Sequence, residues 1–219
     1  MRLGVQEFLA RSGGRGELSR LEGPLVAVVV ALTGGTYGAI MASFGGFSGD
    51  RGWMILFGAI KVPLLFSATL LLAIPSFYLL NVLLGVAGEF RRVWRALVDY
   101  QISVALQLAA LAPVTLLVNL VESDYRVAQA WSTLLFAVAS WNGRLGLLRA
   151  YSELERRNMA HRLLRRVWFV LYAFIGIQMA WDLRPFVGNP ELAVTFFRDD
   201  IGTAYVEVPR VLWEALFGR

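Results

Sequence analysis

The chain has no cysteine, a single histidine (His161) and a single lysine (Lys61) among its 219 residues. Without cysteine there can be no disulfide, iron–sulfur cluster, thiolate metal site or cysteine nucleophile. One histidine excludes a bis-histidine haem or a multi-histidine metal centre within one chain. No P-loop, dinucleotide fingerprint or carboxylate pair occurs. No cofactor and no catalytic residue is therefore expected. Charge is scarce over long tracts, and what remains is strongly apolar, with 57% hydrophobic residues and a mean hydropathy of +0.58. That composition leaves no room for a separate soluble domain.

Five apolar runs carry most of this character. Two of 27 residues, Gly23–Gly49 and Val62–Gly88, contain no charge, and Tyr100–Val121 adds 22 more. Val127–Gly143 and Val167–Trp181 are shorter, at 17 and 15 residues. A helix needs ~20 mostly apolar residues to cross the hydrocarbon core, which the first three supply outright and the last two reach with polar ends snorkelling to the headgroups. The expected fold is all-α: an integral membrane helical bundle of five transmembrane helices plus surface amphipathic helices. The spans are Pro24–Phe44, Val62–Leu84, Leu97–Val121, Val127–Gly143 and Val167–Leu183. Residues 1–23 form a cytoplasmic amphipathic segment, 24–183 the bundle, and 184–219 an outer-face loop with an amphipathic helix marked by Val208, Val211, Leu212, Ala215 and Leu216. Residues 149–166 contain good helix formers and extend span 4 into the cytoplasm before the chain turns back. Pro63 suits a helix start, while Pro75 and Pro113 are internal. Trp53, Trp94, Trp131, Trp168 and Trp181 fall near span ends, as interfacial anchors do.

The arginines alternate between sides. Fourteen fall in the N-terminal segment, the second connection and the fourth connection, against six elsewhere. Retention of positive charge inside puts the N-terminus in the cytoplasm and the C-terminus outside a bacterial inner membrane. A net charge of +5 is then an orientation signal, and no nucleic-acid partner is expected. The first apolar run starts late and is too long for a cleavable signal peptide.

Several residues stand out. Gly34, Gly38 and Ala42 are four apart on one helix face, a pattern that serves packing within the chain or contact with a partner. Polar groups within or beside the spans are Lys61, Asp99, Gln107, Arg144, Gln178, Asp182 and Arg184. The topology puts Lys61 and Asp182 at similar depth, as a possible pair, and Asp99 and Arg144 both near the inner surface. Gln107 and Gln178 are placed to hydrogen-bond between helices. Arg156, Arg157, Arg162, Arg165 and Arg166 form a patch suited to anionic lipid headgroups or an acidic partner. Gly46-Phe47-Ser48-Gly49 matches the GxSG string of rhomboid proteases, but a serine nucleophile needs a histidine base within reach, and the topology puts His161 on the opposite side. Phe186, Val187, Leu192, Val194, Phe196 and Phe197 are too apolar for a free loop, so the segment after span 5 should fold back on the spans or dock on a partner.

Two strings carry a resemblance. Phe57-Gly58-Ala59-Ile60-Lys61-Val62-Pro63-Leu64-Leu65-Phe66, continuing to Pro75-Ser76-Phe77-Tyr78-Leu79-Leu80-Asn81, and Trp181-Asp182-Leu183-Arg184-Pro185-Phe186-Val187-Gly188-Asn189-Pro190 resemble an uncharacterised group of bacterial multi-pass membrane proteins. Some of that group bear an automatic label as actin-binding WH2-domain proteins. A WH2 motif needs a basic LKKT-like string, and one lysine does not supply it. Asn81–Val118 is more faintly similar to the Yip1 family, which implies a trafficking or scaffolding role rather than catalysis. The function these readings favour is a non-enzymatic structural or accessory subunit of a larger bacterial membrane complex. Its partners would be membrane lipids and other membrane subunits or a second copy of itself. The alternative is a small transporter or channel lined by the Pro-kinked spans 2 and 3.

Overall fold

A computed structural model describes residues 23–47, 49, 51–184, 186–188, 193–197 and 203–206. The expected N-terminal amphipathic segment, Ser48 and the expected C-terminal helix around Val208–Leu216 lie outside the described residues. Among the described residues the fold is helical and contains no strand. Five long helices follow in order: α1 (Gly23–Met41), α2 (Arg51–Leu83), α3 (Phe90–Val121), α4 (Tyr125–Arg157) and α5 (Ala160–Asp182). A short 3₁₀ turn, Ala87–Glu89, leads into α3.

Four of these helices, α1, α2, α3 with its leading turn, and α5, are long and apolar enough to cross a membrane. α4 is as long as α2, at 33 residues, but less apolar. The helices overrun the charge-free runs because charged residues at their ends are still good helix formers. Thus α2 starts at Arg51 rather than near Val62, which makes Pro63 an interior residue rather than a helix start. α4 carries through to Arg157 and stops at Asn158, where the chain turns extended and the Asn158 side chain accepts a hydrogen bond from the Ala160 N–H at 2.9 Å. The charged stretch expected to prolong span 4 is therefore shared between the end of α4 and the start of α5.

The helices close into a ring in which α1 packs on α2 and α3, α4 on α3 and α5, and α5 on α2. Aromatic rings fill its centre. Phe136 of α4 meets Tyr37 of α1 at 5.5 Å and Phe66 of α2 at 6.2 Å between centroids. Trp168 of α5 stacks on Tyr172 at 4.8 Å and takes Tyr100 of α3 edge-on at 5.3 Å. Trp168 has no exposed surface, so it is a core residue and not an interfacial anchor. Trp53, by contrast, is exposed. The outward surface is apolar, with Leu32, Leu71, Leu83, Leu117, Leu120 and Val170 all exposed. A surface of that kind suits lipid rather than water.

The Gly34, Gly38 and Ala42 stripe is spent inside the chain, on α2. A Cβ on Gly38 would collide with the Gly58 backbone, and one on Gly58 would lie 2.6 Å from the Ala42 Cβ. A Cβ on Gly34 would touch the Pro63 ring at 3.5 Å. The neighbouring Gly35 makes room for the Ala59 carbonyl, which a Cβ would approach to 3.2 Å. Ala59 is four residues before Pro63, so its carbonyl has lost the usual helical N–H donor. Glycine on α1 lets the backbone come close enough for Cα–H groups to face that carbonyl. At the end of α1, Asn119 of α3 donates to the Ile40 carbonyl at 2.8 Å, which also accepts from the Ser43 N–H and hydroxyl, and so ties α3 to the helix terminus.

Replacing Gly38 by leucine should force α1 and α2 apart and lower stability by about 1–3 kcal/mol or more, the usual cost of overpacking. Gly52 near the start of α2 meets nothing within 4 Å, so Gly52→Ala should cost nothing and stabilise by up to about 1 kcal/mol. Unfolding in mixed micelles measures both. Equal tolerance at the two sites would refute the close contact.

Candidate functional site

Charged side chains gather where the 3₁₀ turn, the end of α4 and the start of α5 meet. His161 has no exposed side-chain surface, and its Nε2 lies 2.5 Å from Glu89 Oε2. The other Glu89 oxygen faces Arg92 at 3.8 Å and Arg157 at 4.0 Å. Arg157 also donates to Glu153 at 3.1 Å. The Tyr151 ring takes His161 edge-on at 6.4 Å, and neither the Tyr151 hydroxyl nor His161 Nδ1 has a hydrogen-bond partner among the described residues. Burial pushes the Tyr151 hydroxyl above its ordinary range.

The expected arginine patch divides. Arg165 donates to Glu155 at 2.7 Å and Arg162 at 3.5 Å. Burial alone would raise the Glu155 carboxyl, but the two guanidiniums outweigh it and hold the group below its ordinary value. Arg157 is turned toward Glu89 and Glu153, while Arg156 and Arg166 are exposed. Beside this network a cleft of about 260 Å³ opens between α3 and α4, with Arg92, Arg95 and Asp99 on one wall and Glu153 and Arg157 on the other. Asp99 Oδ1 is buried and has no hydrogen-bond partner among the described residues. Arg144 is not joined to Asp99; its guanidinium lies over Trp141 at 4.9 Å and Phe169 at 5.6 Å.

At the other end the chain after α5 folds back. The Gly188 carbonyl accepts from Arg51 at 3.3 Å, and Val187 is buried. Phe196 meets Phe57 at 5.1 Å and covers the Lys61 ammonium at 4.8 Å. The Tyr205 ring stacks on Phe174 at 4.1 Å, and its hydroxyl donates to the Phe174 carbonyl. Gln178 binds the same segment: its side-chain oxygen accepts from the Ala204 N–H at 3.1 Å, and its nitrogen donates to Asp182 at 2.9 Å. The polar residues are thus not deployed as expected. Lys61 is fully buried, Asp182 is exposed, and no ion pair joins them among the described residues. Gln107 bonds back to Ser103 within its own helix at 3.1 Å rather than to a neighbour. Arg184 lies over the Trp181 ring at 3.5 Å.

Glu89, Glu153, Glu155 and Tyr151 escaped notice in the sequence because each is an ordinary helix-end residue. Only the turn that returns the chain to α5 brings them together. The GxSG connection follows α1, whereas His161 sits beyond the far end of α2, a helix about 50 Å long at 1.5 Å per residue. No metal-binding group of three His, Cys, Asp or Glu residues occurs among the described residues. No protein-family model matches the chain, and neither a curated protein nor a solved structure matches it.

A carboxyl whose folded-state value is depressed contributes stability above its unfolded value, near pH 4.3, and loses it as the pH falls through the folded one. Glu155→Gln should therefore cost on the order of 1 kcal/mol at neutral pH. It should also flatten the loss of stability on acidification from pH 6 to 3, read by thermal unfolding in detergent. Parallel wild-type and variant profiles would show that Glu155 is not held by its arginines.

Proposed function

We propose that the chain is a non-enzymatic structural or accessory subunit of a larger bacterial inner-membrane assembly, crossing five times with its N-terminus in the cytoplasm. Connectivity supports the fifth crossing. α3 and α5 are both apolar enough to span, and their starts meet through the Glu89–His161 contact. A chain that leaves by α3 and begins α5 on the original side must return through α4. The orientation rests on charge, since Arg91, Arg92, Arg95, Arg156, Arg157, Arg162, Arg165 and Arg166 all belong to the Glu89 end. The resemblance to bacterial multi-pass proteins agrees with this placement.

The observation that carries the assembly reading is α4 itself. It is the least apolar of the long helices, yet Gln129, Thr133 and Asn142 lie on its exposed surface. Thr133 bonds back to the Gln129 carbonyl at 2.9 Å, whereas Gln129 and Asn142, near the two ends of the span, have side chains that a neighbouring helix can hydrogen-bond. α1 and α5 add continuous apolar outer surface, with Leu25, Val28 and Leu32 exposed on one and Val170, Phe174 and Ile177 on the other. A transport path between α2 and α3 has less support, because α1 packs against both and aromatic rings occupy the ring's centre.

The crossings are tested with cysteines introduced into a chain that has none. Residues 48 and 123 should react with an impermeant thiol reagent in whole cells, and residue 152 should not. Reaction at all three, or the reverse pattern, would sink the topology.

The assembly is tested by purification in mild detergent with mass spectrometry. A stoichiometric protein partner is expected, and Gln129→Leu with Asn142→Leu should release it while leaving the fold's thermal stability intact. A clean monomer with no partner would overturn the reading.

A further inference from the structure

The cleft between α3 and α4 has the composition of a headgroup site. Arg92 and Arg157, with side chains 55% and 48% exposed, keep guanidinium donors to spare beyond their contacts with Glu89 and Glu153, and Arg95 lines the same space. Guanidiniums in such a fork suit phosphate oxygens. An anion site alone would not carry acids in its walls, yet Asp99 and Glu153 line this one and Glu89 stands beside it. Three guanidiniums thus face three carboxylates. A ligand that complements both signs is a zwitterion with an anionic phosphate and a cation a few atoms away. The cation should be a primary ammonium, because the Asp99 carboxylate lines the cleft and has no hydrogen-bond donor among the described residues, and an ammonium donates where a quaternary amine cannot.

Position points to a lipid rather than a free solute. Asp99 immediately precedes the charge-free run Tyr100–Val121, so the cleft lies where α3 passes from polar to apolar. On α4, Gly146 stands one turn from the cleft-lining Ala150, and a side chain there would meet nothing within 4 Å. The surface above the cleft is therefore open to an acyl chain. We propose that this cleft binds an aminophospholipid of the phosphatidylethanolamine type, with the phosphodiester on Arg92, Arg95 and Arg157 and the ammonium on Asp99 and Glu153. The site uses one of the expected lipid-patch arginines, Arg157, with two from α3.

The test uses the full chain, delipidated and offered equimolar phosphatidylethanolamine, phosphatidylcholine and phosphatidylglycerol of matched acyl chains, with retention read by native mass spectrometry. Phosphatidylethanolamine should be retained roughly ten- to a hundredfold over the other two, the size of a charge-assisted hydrogen bond. Asp99→Asn should erase that preference while leaving general phospholipid retention. Glu153→Gln, on the exposed wall, should weaken it in the same direction if the first variant fails to fold. Arg95→Gln should lower retention of all three. Free phosphoethanolamine should fail to compete at concentrations matched to the lipid. Equal retention of the ethanolamine and choline lipids, or preference for phosphatidylglycerol, would overturn the proposal. Competition by the free headgroup as strong as by the lipid would overturn the lipid assignment.

Discussion

Trp168 touches Phe77, Tyr100 and Tyr172, three rings from three different helices, and none of its surface is exposed. Within a membrane, helix packing gains little from the hydrophobic effect and depends on van der Waals fit. A ring of five helices leaves a central gap, and an unfilled gap loses those contacts outright. Wide planar side chains fill it: Phe136 reaches Tyr37 and Phe66, while Trp168 joins α5 to α2 and α3. The edge-on geometry of most of these pairs is the one the ring quadrupoles prefer. The closure of the ring, and so the meeting of α5 with the turn before α3, depends on this filling.

Elsewhere the helices approach on glycine. The Gly38–Gly58 contact brings two backbones together, and Gly143 lets α4 close on Tyr100 and Val104 of α3. Both arrangements trade the entropy cost of helical glycine for close packing along a whole face. Pro63 gains a role from the same closeness, since the carbonyl it leaves without a donor, that of Ala59, faces Gly35 of α1.

The two ends of the bundle are built differently. One is a network of charges in which Glu89 joins His161, Arg92 and Arg157 across three elements, with an open cleft beside it. The other is capped by the chain itself, as the segment after α5 lays Phe196 over Lys61 and fixes Tyr205 against Phe174. Sequestered charge under a folded-back segment favours a fixed structural end. The exposed arginines and acids at the opposite end favour contact with headgroups or a partner.

Long charge-free runs determined the helical class and the membrane-spanning character on their own, because a hydrocarbon solvent permits little besides helices or closed barrels at that hydropathy. The apolar tail after Trp181 likewise announced a segment in need of cover. The sequence did not determine which partner each polar group takes. Lys61 and Asp182 match in depth, but Phe196 stands over one and Gln178 binds the other. Gln107 has the reach for a neighbour but turns back to Ser103, whose carbonyl and hydroxyl both accept from it one turn away. Trp168 reads as an anchor by its place near a charged boundary, and becomes core only because α5 rotates it inward against α2 and α3. The stripe of Gly34, Gly38 and Ala42 carries no sign of whether its partner is another chain or this one. Azimuth and long-range pairing are set by packing between helices far apart in sequence. Spacing along one helix gives a face, and only the tertiary structure decides what that face meets.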